Sequence, residues 1–391
     1  MEWWFEKRQY LLELGVDGFK TDGGEFICED DVIFFNGLTG REMRNGLARF
    51  YCRAYTDFIE KNRVLFSRAG YTGQQSCPVQ WAGDQESSWE ELRSVLKAGL
   101  SAGMSGIPYW SFDIGGFAGA LPEMELYERS TQLAVFVPVM QWHSEPAGGQ
   151  FSELMPSARP VNDRSPWNIA QACGDEAALE RLRFHYNLRS NLIPALFNEA
   201  IKAQKSGLPM MRHLALNYPD DPNTLNLEDC FMLGDLLVAP IVYEGQATRE
   251  VYLPEGNWVE LWSQETYTGS KWVTSEAHKN RIPVYLKEGG ALAMNLGDSL
   301  RPGSAVGAGT GQYQNLCFCL AGKEGKTHFE DDQGNALMIT WNNEDFHIER
   351  ISGNCPVQVL RNRSTVFNTF AVHGNISTFL SARENISTDK L

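Results

Sequence analysis

The sequence predicts an α/β domain followed by β-rich regions, and three observations carry that expectation. Through about residue 203, short apolar runs alternate with amphipathic stretches at helical spacing. From about residue 229 the texture changes to short strands punctuated by turns. After about residue 296 a glycine-rich stretch, RPGSAVGAGTGQ, reads as a linker into a second β region.

The elements follow in order. A helix ends near Leu14, with Gly15 at its C-terminal side, and residues 16–20 read as the first strand. Residues 41–61 place Met43, Leu47, Phe50, Ala54 and Phe58 at helical spacing, and residues 64–66 form a second strand. Residues 78–81 are a third. Ser88 with Glu91 forms a capping box opening a helix that gathers Trp89, Leu92, Val95, Leu96 and Leu100 on one face. Residues 107–110 are a fourth strand and residues 134–140 a fifth, after a helix around 123–133. A long helix near 177–203 closes the series. Strands separated by helices pair in parallel through right-handed crossovers, so this region is an α/β barrel or a doubly wound sheet. Beyond it, residues 236–240, 250–253, 258–262 and 283–286 read as strands, and LPEGNW and YTGSKW as hairpins of a β-sandwich.

At 391 residues the chain has room for roughly two to three domains. Lys and Arg number 34 against 49 Asp and Glu, a net charge of −15 that repels a phosphate backbone and excludes nucleic acid as a main partner. No run approaches the length and apolarity of a membrane span. MEWWFEKRQY lacks a basic segment followed by an apolar run, so no signal peptide is expected. Eight scattered cysteines without a Cys-x-x-Cys pair read as buried thiols of a reducing compartment, and a cytoplasmic location is expected. Cys317 and Cys319 share one side of a strand, a packing role. The sequons at Asn362, Asn375 and Asn385 carry no weight without a secretion signal.

The informative feature is where carboxylates fall relative to strands. Asp22 follows the first strand in FKTDGGE, and Asp84 follows the third in QWAGDQ. Both stand at carboxyl ends of parallel strands, the face on which barrel enzymes build active sites. Two acids on neighbouring strand ends suit glycoside hydrolysis, one attacking the anomeric carbon and the other protonating the departing oxygen. The competing reading is that Asp after a strand merely caps the next helix, a role that fits Asp17 in GVDG.

These residues also carry a resemblance. GVDGFKTDGGE, VLFSRAGYTGQQSCPVQWAGDQESSW, LSAGMSGIPYWSFDIGGF and MQWHSE resemble consecutive blocks of glycoside hydrolase family 31, the family of α-glucosidases and α-xylosidases. GLPMMRHLALNYPDD, FMLGDLLVAPIV and VYLPEGNWVELW resemble the end of its barrel and its proximal C-terminal sandwich. The resemblance covers residues 1–295 in order. It implies an incomplete (β/α)8 TIM barrel of about strands 4–8 over residues 1–225, a proximal β-sandwich over 226–297 and a distal β domain over 298–391. The family's N-terminal sandwich, its first three strands and a sugar-binding aspartate on the first strand are expected to lie outside this chain. The missing N-terminal part of the same enzyme is then an expected partner, without which residues 1–391 are expected to be poorly soluble and inactive.

Carried over by motif, Asp22 resembles the nucleophile and Asp84 the general acid/base of a retaining α-glycosidase acting on an oligosaccharide or α-glucoside. Their carboxyls are then expected about 5–5.5 Å apart, against ~6.5–9.5 Å for an inverting pair. Arg68 resembles the substrate-binding arginine and His143 the histidine that hydrogen-bonds the −1 sugar. Lys20, Trp81, Trp110 and Asp113 match positions lining that subsite. Each also has a plainer reading: Lys20 as an ion-pair partner of Glu25, Trp81 and Trp110 as barrel core, Asp113 as a residue that orients Arg68 or its loop. The family often has His where this chain has Phe112. WAGDQ echoes the sulfoquinovosidases, but Lys20 argues against that branch. GSKW leans toward α-xylosidases, whereas the region from MQWHSE to DRSPWN leans toward α-glucosidases, which leaves the α-xylosidase alternative open. A metal-dependent hydrolase using Asp22, Glu25, Asp84 and His143 would want a histidine-rich ligand set; no His-x-His or His-Glu-x-x-His occurs, so no metal or cofactor is expected. A non-catalytic carbohydrate-binding remnant is the third class considered.

Overall fold

The computed structural model describes residues 2–27, 29–59, 62–143, 163–307, 312–342, 345–363 and 366–372. Cys28, His373 and the sequons at Asn375 and Asn385 lie outside the described residues.

Two short helices, α1 (Glu2–Glu6) and α2 (Gln9–Glu13), lead into the parallel strand β1 (Gly18–Thr21). The turn from α2 into β1 uses Gly15 at φ 88°, a left-handed conformation that a side chain would disfavour. The expected second helix is two: α3 (Gly40–Met43), opened by a full capping box of Thr39 and Glu42, and α4 (Gly46–Ile59). Then come β2 (Val64–Ser67), β3 (Val79–Trp81), α5 (Trp89–Met104), β4 (Tyr109–Ser111) and α6 (Met124–Ala134). At the head of α5 the Ser88 hydroxyl accepts from Glu91 N at 3.2 Å. β1 to β4 form one parallel sheet in sequence order, with Phe66 opposite Val79 and Gln80 opposite Trp110 in register.

The expected fifth strand over residues 134–140 is not there. α6 runs through Ala134, and among the described residues the pairing beyond β4 is reduced to Val139 N donating to Trp110 O at 3.3 Å and a parallel bridge from Asp113 to Gln141. A short apolar run without a period fits a strand and a buried helix end equally well; here Leu133, Ala134, Val135, Phe136 and Val137 are all buried. The helix α7 (Pro166–Cys173) is followed by α8 (Ala178–Ser206), whose Arg189 guanidinium donates to the carbonyls of Val135 (2.9 Å), Val137 and Pro138 (2.7 Å). Those carbonyls are therefore taken, and no ladder forms on them.

The β-rich remainder contains β5 (Phe231–Leu233), β6 (Leu236–Val238), β7 (Thr248–Leu253), β8 (Asn257–Glu260), β9 (Thr266–Thr268), β10 (Lys271–Glu276) and β11 (Val284–Lys287). It comprises a five-stranded sheet of order β5-β6-β11-β8-β9 and the antiparallel pair β7–β10. LPEGNW and YTGSKW, expected as hairpins, are instead corners between the two sheets: β7 pairs with β10, β8 with β9 and β11. Turn residues dictate where a chain reverses, not which strand it next pairs with. The two corners bind each other, Gly269 N donating to Gly256 O at 2.7 Å, and a Cβ on Gly269 would stand 1.9 Å from Pro254 O.

The chain continues through β12 (Ala291–Asn295) and β13 (Leu316–Leu320), then β14 (Glu324–Glu330), β15 (Ala336–Asn342), β16 (Asp345–Ser352), β17 (Val357–Arg363) and β18 (Val366–Val372). These make a sheet β12-β13-β17-β18 and a sheet β14-β15-β16. Cys317 and Cys319 are buried on β13, but Cys173 is exposed at the end of α7, contrary to the expectation of buried thiols throughout. The largest core joins α5, α6 and α8 to β5, β6, β11 and β12, so the α/β region and the β-rich region share one apolar interior.

Candidate active site

Lys20, Asp22, Arg68, Trp81, Asp84 and Asp113 stand at or just beyond the carboxyl ends of the parallel strands. Beyond β1 the chain leaves through Asp22, Gly23 (φ 79°) and Gly24 (φ 91°). Two consecutive left-handed residues turn the loop sharply, and the second is pressed against α4: a Cβ on Gly24 would sit 2.5 Å from the Tyr51 ring. The Tyr51 hydroxyl donates to the Asp22 carbonyl at 2.8 Å. Gly23 N donates to Asp22 Oδ1 at 2.9 Å, and the carboxylate itself is 68% exposed.

Arg68, directly after β2, organises the acids. Its Nη1 lies 2.9 Å from Asp22 Oδ1 and 3.2 Å from Asp84 Oδ1, while its Nε donates to Glu25 Oε1 at 2.7 Å. Since one nitrogen touches both Asp22 and Asp84, those two oxygens are separated by at most the two distances end to end, about 6 Å. The planar guanidinium suits such simultaneous engagement. Gly83, at φ 84°, lets the Arg68 chain pass, its Cδ lying 3.2 Å from where a Cβ would be.

Asp113 follows β4 and is 1% exposed. Gln141 Nε2 donates to its Oδ1 at 2.9 Å and Gln85 Nε2 to its carbonyl at 2.8 Å. Burial pushes the Asp113 carboxyl up to about 6, with the Lys20 charge pulling the other way. Lys20 places its ammonium 4.3 Å from the centroid of the Trp81 ring, and Trp81 is buried against Phe66 at 5.0 Å. Desolvation lowers the Lys20 pKa, and the carboxylates of Asp113, Asp22 and Asp84 restore only part of it. His143 packs edge-on against Phe117 at 4.9 Å. Desolvation, then the Lys20 charge, push its imidazole toward the neutral form.

The structure thus draws Asp22, Arg68 and Asp84 into direct contact and sets Lys20, Asp113 and His143 around them. Glu25 is held by Arg68, so the plainer alternative for Lys20, an ion pair with Glu25, is not what forms. Asp113 is tied to Gln141 and Gln85, which makes it an organiser of its own loop. Trp110 turns away from the carboxylates: its Nε1 donates to Val95 O of α5 at 3.1 Å, and its ring fills the space left by Gly99. Three residues contribute in ways the sequence reading misses. Glu25 sits inside KTDGGE, so its motif marks it, but its partner is not evident there. Tyr51 lies on a helix face shared with Tyr55, and nothing local ties it to Asp22. Arg164, in DRSPWN, is fully buried and its Nη2 donates to Ser87 Oγ (3.0 Å) and to the carbonyls of Ala118 (3.1 Å) and Ala120 (3.2 Å), bracing the loop beyond Asp84. Among the described residues no group of three His, Cys, Asp or Glu side chains is arranged to hold a metal, and no helix is long and apolar enough to cross a membrane.

Comparison with known proteins bears on this arrangement. Residues 1–199 match the glycosyl hydrolases family 31 TIM-barrel domain, and residues 207–292 the family's C-terminal domain. An isomaltosyltransferase of Sporosarcina globispora is 37% identical over 373 residues, 94% of this chain and 33% of its own length. The cycloalternan-forming enzyme of Listeria monocytogenes, solved in complex with a pentasaccharide substrate, superposes with a TM-score of 0.83 at 37% identity, over 92% of this chain and 34% of that one. The cycloalternan-degrading enzyme of Trueperella pyogenes, solved in complex with a covalent intermediate, superposes with a TM-score of 0.67 at 40% identity, over 74% and 39%. The chain therefore spans between a third and two fifths of the length of these relatives.

Proposed function

Because the chain belongs to glycoside hydrolase family 31, we propose that it carries the catalytic carboxylates of a retaining α-glycosidase that removes terminal α-linked glucose from oligosaccharides or α-glucosides. Asp22 attacks the anomeric carbon as Asp84 gives its proton to the departing oxygen. Asp84 then takes a proton from water, whose oxygen displaces Asp22 and frees the sugar. The observation that carries the reading is the shared Arg68 nitrogen. It brings one oxygen of each acid within about 6 Å of the other, a closeness that suits a retaining pair. Arg68 holds the two acids side by side at the strand ends. Lys20 and His143 line the sugar's pocket, the half-buried imidazole accepting or donating one hydrogen bond, while the buried Asp113 holds the loop behind them. Trp81 backs Lys20, and Trp110 supports the subsite from behind.

A second reading has support in the Sporosarcina relative, an isomaltosyltransferase matched over 94% of this chain. Transfer shares the covalent step with hydrolysis and differs only in whether a sugar hydroxyl or water takes the glycosyl group. We further propose that residues 1–225 are the C-terminal part of an eight-stranded barrel closed by strands from the rest of the enzyme. The two sheet pairs beyond it fit two β-sandwiches, each enclosing its own apolar cluster, and because β12 (Ala291–Asn295) pairs with β13 the boundary expected after residue 297 moves to before residue 291. The test is labelling of the active enzyme with a 5-fluoro-α-glucosyl fluoride. The label should sit on Asp22 in the KTDGGE peptide; a label on any other peptide overturns the assignment. Products analysed with and without a glucan acceptor separate hydrolysis from transfer, and an aryl α-xyloside separates the xylosidase alternative.

A further inference from the structure

The β7–β10 pair has an inner and an outer face. Val251 and Val273 point into the core, and the opposite face aligns Trp272 with Tyr252, itself covered, and Thr274 with Glu250. An outward position on a two-stranded sheet suits a polar residue, yet Trp272 stands there 50% exposed. Beside it Tyr243 is 51% exposed, and the two rings border one pocket of about 230 Å³, the scale of a single sugar ring.

The pocket is built on a braced turn. Arg93, from α5, stacks its guanidinium 4.6 Å from the Tyr243 ring and donates to Val242 O at 3.2 Å. Glu125 Oε2 receives Gly245 N at 3.2 Å, and Gln246 Oε1 receives Tyr243 N at 3.2 Å, leaving the Gln246 amide nitrogen as a donor. Trp272 leans on Tyr252 at 5.4 Å. The polar wall consists of Glu250, which accepts from Thr274 at 2.6 Å, and Asp229, whose charge is met by Arg249 Nη2 at 2.9 Å. Two rigidly held aromatic faces with carboxylate acceptors and an amide donor match one ligand chemistry: an uncharged ring with C–H faces and a rim of hydroxyls. A polyanion is disfavoured by the net charge of −15.

We propose that Trp272 and Tyr243 form a carbohydrate-binding site for a neutral α-linked gluco-oligosaccharide, separate from the carboxylate cluster. The choice of α-gluco ligand rests on the α-glycosidase reading, and the site itself does not. It also gives the GSKW segment a role that the catalytic cluster leaves unassigned.

The test is native affinity electrophoresis of the active enzyme in gels containing dextran. Wild type and Asp22→Ala should both be retarded. Trp272→Ala and Tyr243→Ala should each weaken the apparent affinity about fivefold or more, while turnover of a short aryl α-glucoside stays within twofold of wild type. Should Trp272→Ala melt early, Glu250→Gln at the exposed rim takes its place, with a loss of about threefold expected. Wild type that migrates freely through dextran overturns the proposal, as does retardation that none of these variants changes. If the glucosyl label misses Asp22 while retardation still depends on Trp272, the catalytic assignment fails and this site stands.

Discussion

The loop after β1 and the loop after β4 bring carboxylates to the same end of one sheet but are held in opposite ways. Among the described residues β1 pairs with β2 alone, and Asp22 beyond it is largely in solvent, steadied by Tyr51 below and Arg68 beside it. Phe26, Ile33 and Phe35, in the same stretch, are exposed. After β4, Asp113 is enclosed: Phe112 and Ile114 beside it are buried, Gly115 N donates to Ser130 Oγ at 2.8 Å, and Gln85 and Gln141 grip Asp113 itself. Strand ends offer positions, and packing decides what each position costs. An exposed acid can be replaced with little loss of fold and a large loss of chemistry; around β4 the balance reverses.

The widest gap between the loops should appear on replacing Asp22 by Ala. In the active enzyme kcat/KM should fall about a thousandfold or more, roughly 4 kcal/mol of transition-state stabilisation. The melting free energy should move by only about 0.5 kcal/mol, because the side chain is mostly solvated. Steady-state kinetics and calorimetry on one preparation check both, and a variant as active as its parent breaks the comparison at its strong end.

Trp110→Ala should do the converse. Removing a ring packed on Gly99 and bonded to Val95 O should destabilise the chain by about 3–5 kcal/mol while KM of the surviving folded enzyme stays near wild type. A large rise in KM with unchanged melting would move Trp110 back into the sugar subsite.

Asp113 sharpens the buried side through pH. Its carboxyl rises from 3.8 to about 6 in the fold, so the folded chain holds the proton more tightly than the unfolded chain. The stability this contributes is full below about pH 4 and is lost as pH climbs through about 6, a change of up to about 3 kcal/mol. Asp113→Asn, which cannot ionise and can still accept from Gln141, should flatten that part of the wild-type profile. Melting curves between pH 4 and 6.5 with identical slopes would show that the loop after β4 is as open as the one after β1.

The smallest effect expected is from Tyr51→Phe. The ring still fills the space beneath Gly24, and only the bond to the Asp22 carbonyl is lost, worth about 1 kcal/mol. A drop in kcat of about threefold to tenfold with KM unchanged is expected. Equal losses in kcat and melting temperature for Phe and Ala variants would reduce Tyr51 to packing.

Much of the strand framework is legible in the sequence because local chemistry announces it. The first four parallel strands read there lie within two residues of their observed bounds, since each is a short apolar run closed by a turn residue or a helix cap. Residues 134–140 defeat a linear reading because an apolar run with no period is strand or helix according to what takes its carbonyls, and Arg189 lies about fifty residues away. The corners at Pro254 and Gly269 pass for hairpins for a related reason: a reversal is local, but the choice of sheet is not.

By itself the sequence determined the parallel α/β alternation, the change to β texture, the family and the identity of Asp22, Arg68 and Asp84 as residues at strand ends. The family lies in the resemblance of whole motif blocks, and the rest in spacing and residue type along the chain. Only the tertiary structure decided that one Arg68 nitrogen spans both acids, that Glu25 belongs to Arg68 and not to Lys20, and that Tyr51 and Arg164 brace the loops. It alone turned Trp110 toward α5 and left Trp272 facing outward. Such contacts join residues tens of positions apart. Their energies depend on distance and burial in space, which a linear pattern does not encode.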